Sequence, residues 1–584
     1  MKEFRGISAS PGIAMGRVLL LQDDHPSVPH YSIKDHMVES EYQRFVNAVA
    51  GATKDIESLK SKPERVLSSD EITLLDTQLL MLADPDIPEK VQKQLKDQLV
   101  NVESVLSQIM QAMISKLSSA QDEYLRERAS DLHDVSKRIM GQLLKRKRPN
   151  VSKLSEDAIL VCHDLLPSDA IGMDKIRVKG IATDAGGKTS HTAILARAFE
   201  IPAVLGLGKI SQESEDGDFM IIDGSAGKVL LNPPEETIRD YTKRFKQLQK
   251  REIQLMKLNE LPAETKDGKL IRLKANIEIP EEVDAALGHG ADGIGLYRSE
   301  FLFIRPGGLP DEEEQFEAYK YVLEAMGNKP VTIRTLDLGG DKLQYNMKET
   351  GTGEKNPILG WRAIRFCLSH EDIFRTQLRA LLRASMYGNL RIMFPLISGT
   401  QELDKTLAII KEVRTEFQEK KVPIAPHIPM GIMIEVPSAA LISDILAKKS
   451  HFFSIGTNDL IQYTVAVDRG NENIAYLYEP LHPGVLRLIR MVIDSAHKAG
   501  IVVGMCGEMA GDPLYTMVLV GLGLDEFSMS SFGIPQVKQI IRSTSVVEAE
   551  EFVGRLMEMS SPSEIDAYVR LTMEEKFGIS DNPN

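Results

Sequence analysis

At 584 residues, 42% of them apolar and 26% charged, the chain is ordinary globular material too long for a single hydrophobic core, so several domains are expected. A formal charge of -14 excludes a protein that holds nucleic acid or an anionic membrane by bulk electrostatics. Three widely spaced cysteines, Cys162, Cys367 and Cys506, exclude a disulfide framework and any Cys-x-x-Cys metal site, and the absence of a signal-like or membrane-length apolar run points to the cytoplasm.

The first strand-like pieces, ending in GRVLLL, lie within residues 5 to 22, and the next, DAILVC, does not come until 157 to 162. Between them apolar residues recur three or four apart from about 33 to 146, which predicts an inserted bundle of about four helices, broken at Pro63 and at the Asp-Pro-Asp turn of 84 to 86. AILVC, GIATD, FMIID and KVLLN then alternate with a helix after Gly187 and complete a small α/β unit. The expected domains are an α/β domain of 1–32 and 147–234, a helical subdomain of 33–146, a polar linker helix of 235–261 and a barrel of 262–578. The barrel is expected because LIRLKANI, DGIGLYR, PVTIRTLDLGG, LRIMFPLI, GIMIEVP, HFFSIGTND, IVVGMCGE and LDEFSMS alternate with helical stretches, the grammar of a (β/α)₈ fold. The fold class is therefore multidomain α/β.

In a (β/α)₈ barrel the active site forms at the C-terminal strand ends, and here the residues that close the apolar runs are polar. Arg298 closes GIGLYR, Arg334 and Asp337 end VTIRTLD, Glu435 ends GIMIE, Asn458 and Asp459 follow FFSIGT, and Cys506 follows IVVGM. Guanidinium forks suit phosphate or carboxylate oxygens, and Glu435 with Asp459 offers two hard oxygen ligands for an ion such as Mg²⁺. Arg362 and Arg469 add anion contacts from rim loops. One such residue alone would read as a surface ion pair; five converging strand ends read as a site for an anionic, phosphorylated substrate. Cys506 is either buried packing or, at a rim position, a protonated thiol able to donate to carbon, which would suit an enol phosphate.

The stretch TDAGGKTSHTAILAR, 183 to 197, carries a Gly-Gly turn into a helix with His191 in its first turn. Its spacing with Ile194, Leu195 and Ala198 allows a core histidine. A first-turn side chain tilts past the helix end, however, where free amides favour an anion and a neutral imidazole is a nucleophile. The sequence lacks the GxxxxGK[ST] spacing of a Walker A loop, so no nucleotide is inferred.

With GGKTSHTAILAR, LYRSEFLF, IRTLDLGGDK, NPILGWRAIR, FFSIGTNDLIQYTVAVDRGN and GMCGEMAGD in view, the chain closely resembles Enzyme I of the phosphoenolpyruvate-dependent sugar phosphotransferase system over nearly its whole length. The resemblance implies that His191 accepts the phosphoryl group of phosphoenolpyruvate and passes it to a histidine of the carrier protein HPr. It implies that Arg298, Arg334, Asn458, Asp459 and Arg469 hold phosphoenolpyruvate with Arg362 in support, that Glu435 and Asp459 hold Mg²⁺, that Cys506 protonates the enolate and that Thr189 orients His191. It further implies a homodimer formed through the barrel. The sparse apolar content of helix 235–261 makes that linker the expected hinge by which one histidine reaches both the rim and the carrier. Lys188 stands where the family usually has Arg, and Gln78 where a histidine is common beside Asp76 and Thr77 in the carrier-binding region. A pyruvate phosphate dikinase is the alternative, but only a helical bundle stands where its nucleotide-binding domain would be required. A mainly regulatory phosphohistidine protein is the other.

Overall fold

The computed structural model describes residues 1–21, 29–60, 69–118, 123–144, 154, 156–165, 173–174, 176–187, 190–303, 309–339, 356–471 and 473–579. Two compact units divide the chain, Met1–Phe245 and Lys246–Asn584.

The first unit is built on an eight-stranded sheet of β1 (Lys2–Arg5), β2 (Ile7–Ser10), β3 (Ile13–Leu21), β4 (Ala158–Cys162), β5 (Val178–Thr183), β6 (Ala203–Leu205), β7 (Phe219–Asp223) and β8 (Lys228–Leu231), in the order β1-β8-β7-β3-β4-β5-β6-β2. Strands β3 to β6 run parallel, with Leu19 opposite Leu160 and Cys162 opposite Thr183. Their Val, Ile and Leu side chains are buried on both faces, as the near-continuous apolar runs of parallel strands require. The three-residue β6 escapes sequence reading because it is shorter than any periodic signal.

Between β3 and β4 the chain forms α1 (Val38–Lys60), α2 (Ser69–Leu82), α3 (Asp86–Gln98), α4 (Val102–Ser118) and α5 (Glu123–Leu143). These are five helices where about four were expected, the expected break at Asp84-Pro85-Asp86 separating α2 and α3 as two full helices. Phe45, Ile56, Leu75, Val91, Leu106 and Val135 form their common core. Helix α3 stops where Leu99 takes a left-handed φ of 51° and its N–H returns to the Leu95 carbonyl.

Helix α6 (His191–Ala198) follows the Gly-Gly turn, and α7 (Glu235–Met256) leaves the sheet. Tyr241 of α7 packs with Ile13, Ile221 and Leu230, whereas Leu248, Ile253 and Met256 further along it are exposed.

The second unit closes eight parallel strands into a barrel: β10 (Leu270–Ile277), β11 (Ile294–Arg298), β12 (Pro330–Arg334), β13 (Asn389–Phe394), β14 (Met430–Ile434), β15 (Phe452–Ile455), β16 (Val502–Met505) and β17 (Glu526–Met529). Strand β10 pairs with both β11 and β17, which closes the ring, and β9 (Ala263–Glu264) runs antiparallel against β10 outside it. All eight strands fall on the expected apolar runs, β13 and β14 each starting one residue earlier. Among the outer helices, α8 (Glu312–Met326), α9 (Glu371–Ala384) and α10 (Thr457–Val465) matter most below. Helix α8 starts at a capping box, Asp311 accepting from Glu314 N–H and Glu314 returning to Asp311 N–H, and stops at Gly327.

Candidate active site at the barrel rim

Each rim side chain stands where a buried strand runs out of ladder partners. Arg334 is the last residue of β12 and Arg298 of β11, while Glu435, Gly456 and Cys506 come directly after β14, β15 and β16. Arg334 and Glu435 are almost fully buried there, so their charges must find partners or be neutralised.

The centre of the rim is a chain of ion pairs. Glu300 bonds Arg334 Nη2, Arg334 Nη1 lies 2.8 Å from Asp337 Oδ2, and Asp337 Oδ1 accepts from Arg362 at 2.8 Å and 3.1 Å. Arg362 then reaches Asp459 at 3.5 Å. Asp337 thus joins two guanidiniums, and burial, which alone would raise its pKa, is outweighed by Arg334 and Arg362, so it stays below the usual carboxylate range. Arg298 pairs with Glu278. A more exposed group lies beside these: Asn458 donates to Glu508 at 3.2 Å and accepts from Glu508 N–H at 2.9 Å, and Arg469 is 3.6 Å from Glu508.

Glu435 is pushed up to about 8, first by burial and then by the charges of Asp459 and Asp337, against Arg334 and Arg362. Among the described residues, four rim guanidiniums (Arg298, Arg334, Arg362, Arg469) face six carboxylates (Glu278, Glu300, Asp337, Glu435, Asp459, Glu508). A cation bound at Glu435 and Asp459 would relieve the repulsion that, together with burial, keeps the Glu435 carboxyl protonated. No group of three or more potential metal-ligating side chains occurs among the described residues. Two hard oxygens alone fit an ion such as Mg²⁺ that takes its other ligands from substrate and water.

Cys506 lines the barrel interior with Leu296, Met393, Met433 and Phe452. Burial raises its thiol pKa against a hydrogen bond from Ser454 and the nearby charges of Arg334 and Arg298. The thiol therefore keeps its proton at neutral pH.

Sequence reading missed Glu278 and Glu300. The rule that the residue closing an apolar run is informative applies equally to Glu278 after LIRLKANI, and Glu300 lies two residues beyond Arg298.

In the first unit His191 is the opening residue of α6. Its side chain, together with Lys188 and Thr189, lies outside the described residues. Ser190 caps the helix, accepting from Ala193 N–H at 3.3 Å, and Gly186 has a φ of 109°, a left-handed value that a side chain would strain. Beside the turn, His163 Nδ1 lies 3.2 Å from Asp184, which also accepts from Ser211 N–H at 3.0 Å. This second histidine was not singled out from sequence, because HDLL has no distinguishing spacing. Gln78, read as a departure on the carrier side, is buried and donates to Asp134 at 2.8 Å, so it belongs to the helical core.

Three segments match the PEP-utilising enzyme family: its N-terminal domain at 5–128, its mobile domain at 154–227 and its PEP-binding domain at 252–546. The phosphoenolpyruvate-protein phosphotransferase of Bacillus subtilis (strain 168) is 44% identical over 575 residues, 98% of this chain and 100% of that one. The chain belongs to the phosphoenolpyruvate-protein phosphotransferase family. The homologous enzymes of Priestia megaterium and Staphylococcus carnosus (strain TM300) are 43% and 42% identical, each covering at least 97% of this chain. The match to this family runs through both units, so the rim and the Gly-Gly turn are parts of one family architecture.

Proposed function

We propose that the barrel rim takes the phosphoryl group from phosphoenolpyruvate and that His191 receives it and hands it to the histidine of an HPr carrier, the first step of sugar uptake by a phosphotransferase system. Membership of the family makes the chain an enzyme acting on phosphoenolpyruvate. The observation that carries the site assignment is the chain of pairs from Glu300 through Arg334, Asp337 and Arg362 to Asp459, which presents two fixed guanidiniums beside an unbalanced carboxylate pair.

Arg334, Arg298 and Arg469 bind the phosphate and carboxylate oxygens of the substrate, Asn458 adds a hydrogen bond, and Arg362 supports them. Asp337 holds Arg334 and Arg362 in place, so little reorganisation is needed as charge moves. Glu435 and Asp459 would hold Mg²⁺, which when bound neutralises oxygen charge on the phosphoryl group. His191 attacks phosphorus in line through a ring nitrogen, the P–O bond to the enol breaks, and Cys506 gives its proton to the methylene carbon to yield pyruvate. Its raised pKa suits a donor, and the thiolate is reprotonated from solvent. Thr189 orients the imidazole.

The domains are proposed to divide this labour: 1–32 with 147–234 carries the histidine, 33–146 docks the carrier, 262–578 binds phosphoenolpyruvate and forms a homodimer, and 235–261 is the hinge. The exposed apolar residues of the second half of α7 support a segment with few fixed contacts. No helix is long and apolar enough to cross a membrane among the described residues, which is compatible with action in the cytoplasm.

The test is pyruvate release by the purified protein with phosphoenolpyruvate, Mg²⁺ and HPr. Pyruvate and phosphorylated carrier should appear in equal amounts, and chelating the cation should stop both. Phosphorylation of the protein by ATP in place of phosphoenolpyruvate would contradict the reading and favour a dikinase.

A further inference from the structure

Behind the arginines of the rim lies a buried polar chain that none of the assigned roles uses. Gln377, on α9, is 1% exposed and surrounded by core residues of the same helix, Phe374, Leu378 and Leu381. An amide so buried is costly unless its hydrogen-bonding groups are satisfied, and here both ends are. Oε1 accepts the Leu336 N–H at 2.9 Å, while Nε2 donates to Ser299 Oγ at 3.0 Å and to the Tyr319 hydroxyl at 3.1 Å. Because Leu336 N–H can only donate, the orientation of the amide is fixed. The chain continues in one direction on each side. Ser299 Oγ donates to the Arg334 carbonyl at 2.6 Å, Tyr319 donates to Gln315 Oε1 at 3.2 Å, and Gln315 donates to the Pro310 carbonyl at 3.0 Å.

The backbone groups tied down are the neighbours of the ionic rim. Ser299 stands between Arg298 and Glu300, its hydroxyl holds Arg334 itself, and Leu336 precedes Asp337. A single side chain therefore spans the turn after β11 and the turn after β12, which carry both partners of the Glu300–Arg334 pair and of the Arg334–Asp337 pair. The pairs set how Arg334 is held by charge; Gln377 sets where the two turns stand relative to each other. Arg334 Nε and Glu300 Oε2 have no hydrogen-bond partner among the described residues, so the two side chains owe their placement to the ion pairs and to the turns that carry them.

We propose that Gln377 is a positioning residue for phosphoryl transfer, acting through Ser299 and Leu336 to fix Arg298, Glu300, Arg334 and Asp337 in the geometry that binds the phosphate. This rests on reading Arg334 as a phosphate-binding group. Displacements of about 1 Å in such groups cost rate by about a hundredfold, so partial loosening is expected to cost ten- to a hundredfold.

The experiment compares Gln377→Met, which keeps the length and removes the amide, Ser299→Ala, which removes only the hydroxyl link, and Arg334→Ala in the full chain. Each is assayed for kcat and KM of phosphoenolpyruvate-dependent phosphorylation. The transfer from already phosphorylated protein to HPr is measured separately, and circular dichroism checks the fold. For Gln377→Met, kcat/KM for phosphoenolpyruvate should fall ten- to a hundredfold, for Ser299→Ala about threefold to tenfold, and transfer to HPr should stay within twofold of wild type. Should Gln377→Met not fold, Ser299→Ala carries the comparison. Values of kcat/KM within twofold of wild type for the folded variants, beside a collapse in Arg334→Ala, would overturn the inference and leave the rim reading intact. Equal loss in both half-reactions would also overturn it, as a general structural effect. An unaffected Arg334→Ala would overturn the rim reading and this inference together.

Discussion

Below the rim, inside the barrel, Lys274, Arg391 and Glu526 meet; at the C-terminal strand ends, Arg334, Asp337, Arg362, Asp459 and Glu435 do so. In the lower group Lys274 donates to Glu526 Oε2 at 2.5 Å and Arg391 lies 3.3 Å from Glu526 Oε1, so one carboxylate is held by two cations. Arg391 also lies over the Phe452 ring, 5.5 Å from its centroid. The carboxylate in that group has both oxygens bonded. In the upper group Arg334 Nε and Glu300 Oε2 are buried without a hydrogen-bond partner among the described residues, and burial, then the charges of Asp459 and Asp337, push Glu435 up to about 8. Buried charge is costly in both places. In the lower group protein cations bond both carboxylate oxygens, whereas the upper group, on the proposed reading, is completed by substrate and cation.

The largest test of that contrast is Arg334→Ala. Removing a guanidinium that neutralises the transferring phosphoryl group should slow pyruvate release by about 10³-fold. Next comes Cys506→Ala, which should lower kcat by about 10²-fold, the usual loss for a general acid, with little change in substrate KM. At the other end, Lys274→Met should leave kcat and KM within twofold and lower the stability of the barrel to urea by about 2 kcal/mol, the range for a hydrogen bond to a charged group. Activity lost in Lys274→Met without loss of stability would break the comparison.

A smaller effect sharpens it. Burial lowers the Lys274 pKa to about 8 from an ordinary 10.5, against the pull of Glu526. Between those values the folded form has released a proton that the unfolded chain still holds, so wild-type stability should rise with pH across pH 8 to 10.5, by at most about 1.4 kcal/mol per unit. Lys274→Met should lack that rise. Urea midpoints of the two proteins at several pH values measure it, and parallel profiles would contradict it.

The barrel was legible because its eight parallel strands are buried on both faces and so read as short continuous apolar runs; the rim was legible because polar residues end those runs. Glu435 and Cys506 were found in this way. Gln377 was not, because it lies inside a helix more than 40 residues from Leu336 and nearly 80 from Ser299, and only the fold brings them together. The Gly-Gly turn was legible through Gly186, whose left-handed backbone needs a glycine. The burial of Gln78 was not legible, because a residue's place in a motif does not show which way its helix faces. Its partner Asp134 lies in α5, 56 residues away.

The account turns on His191 receiving what the rim releases. Incubating the purified protein with Mg²⁺ and phosphoenolpyruvate labelled in the phosphoryl group measures this directly. Wild type should take up one acid-labile label per chain with an equal amount of pyruvate, His191→Ala should take up none, and mass spectrometry should place the label on His191. Label of equal stoichiometry in His191→Ala, or pyruvate release from wild type with no label on the protein, would contradict it.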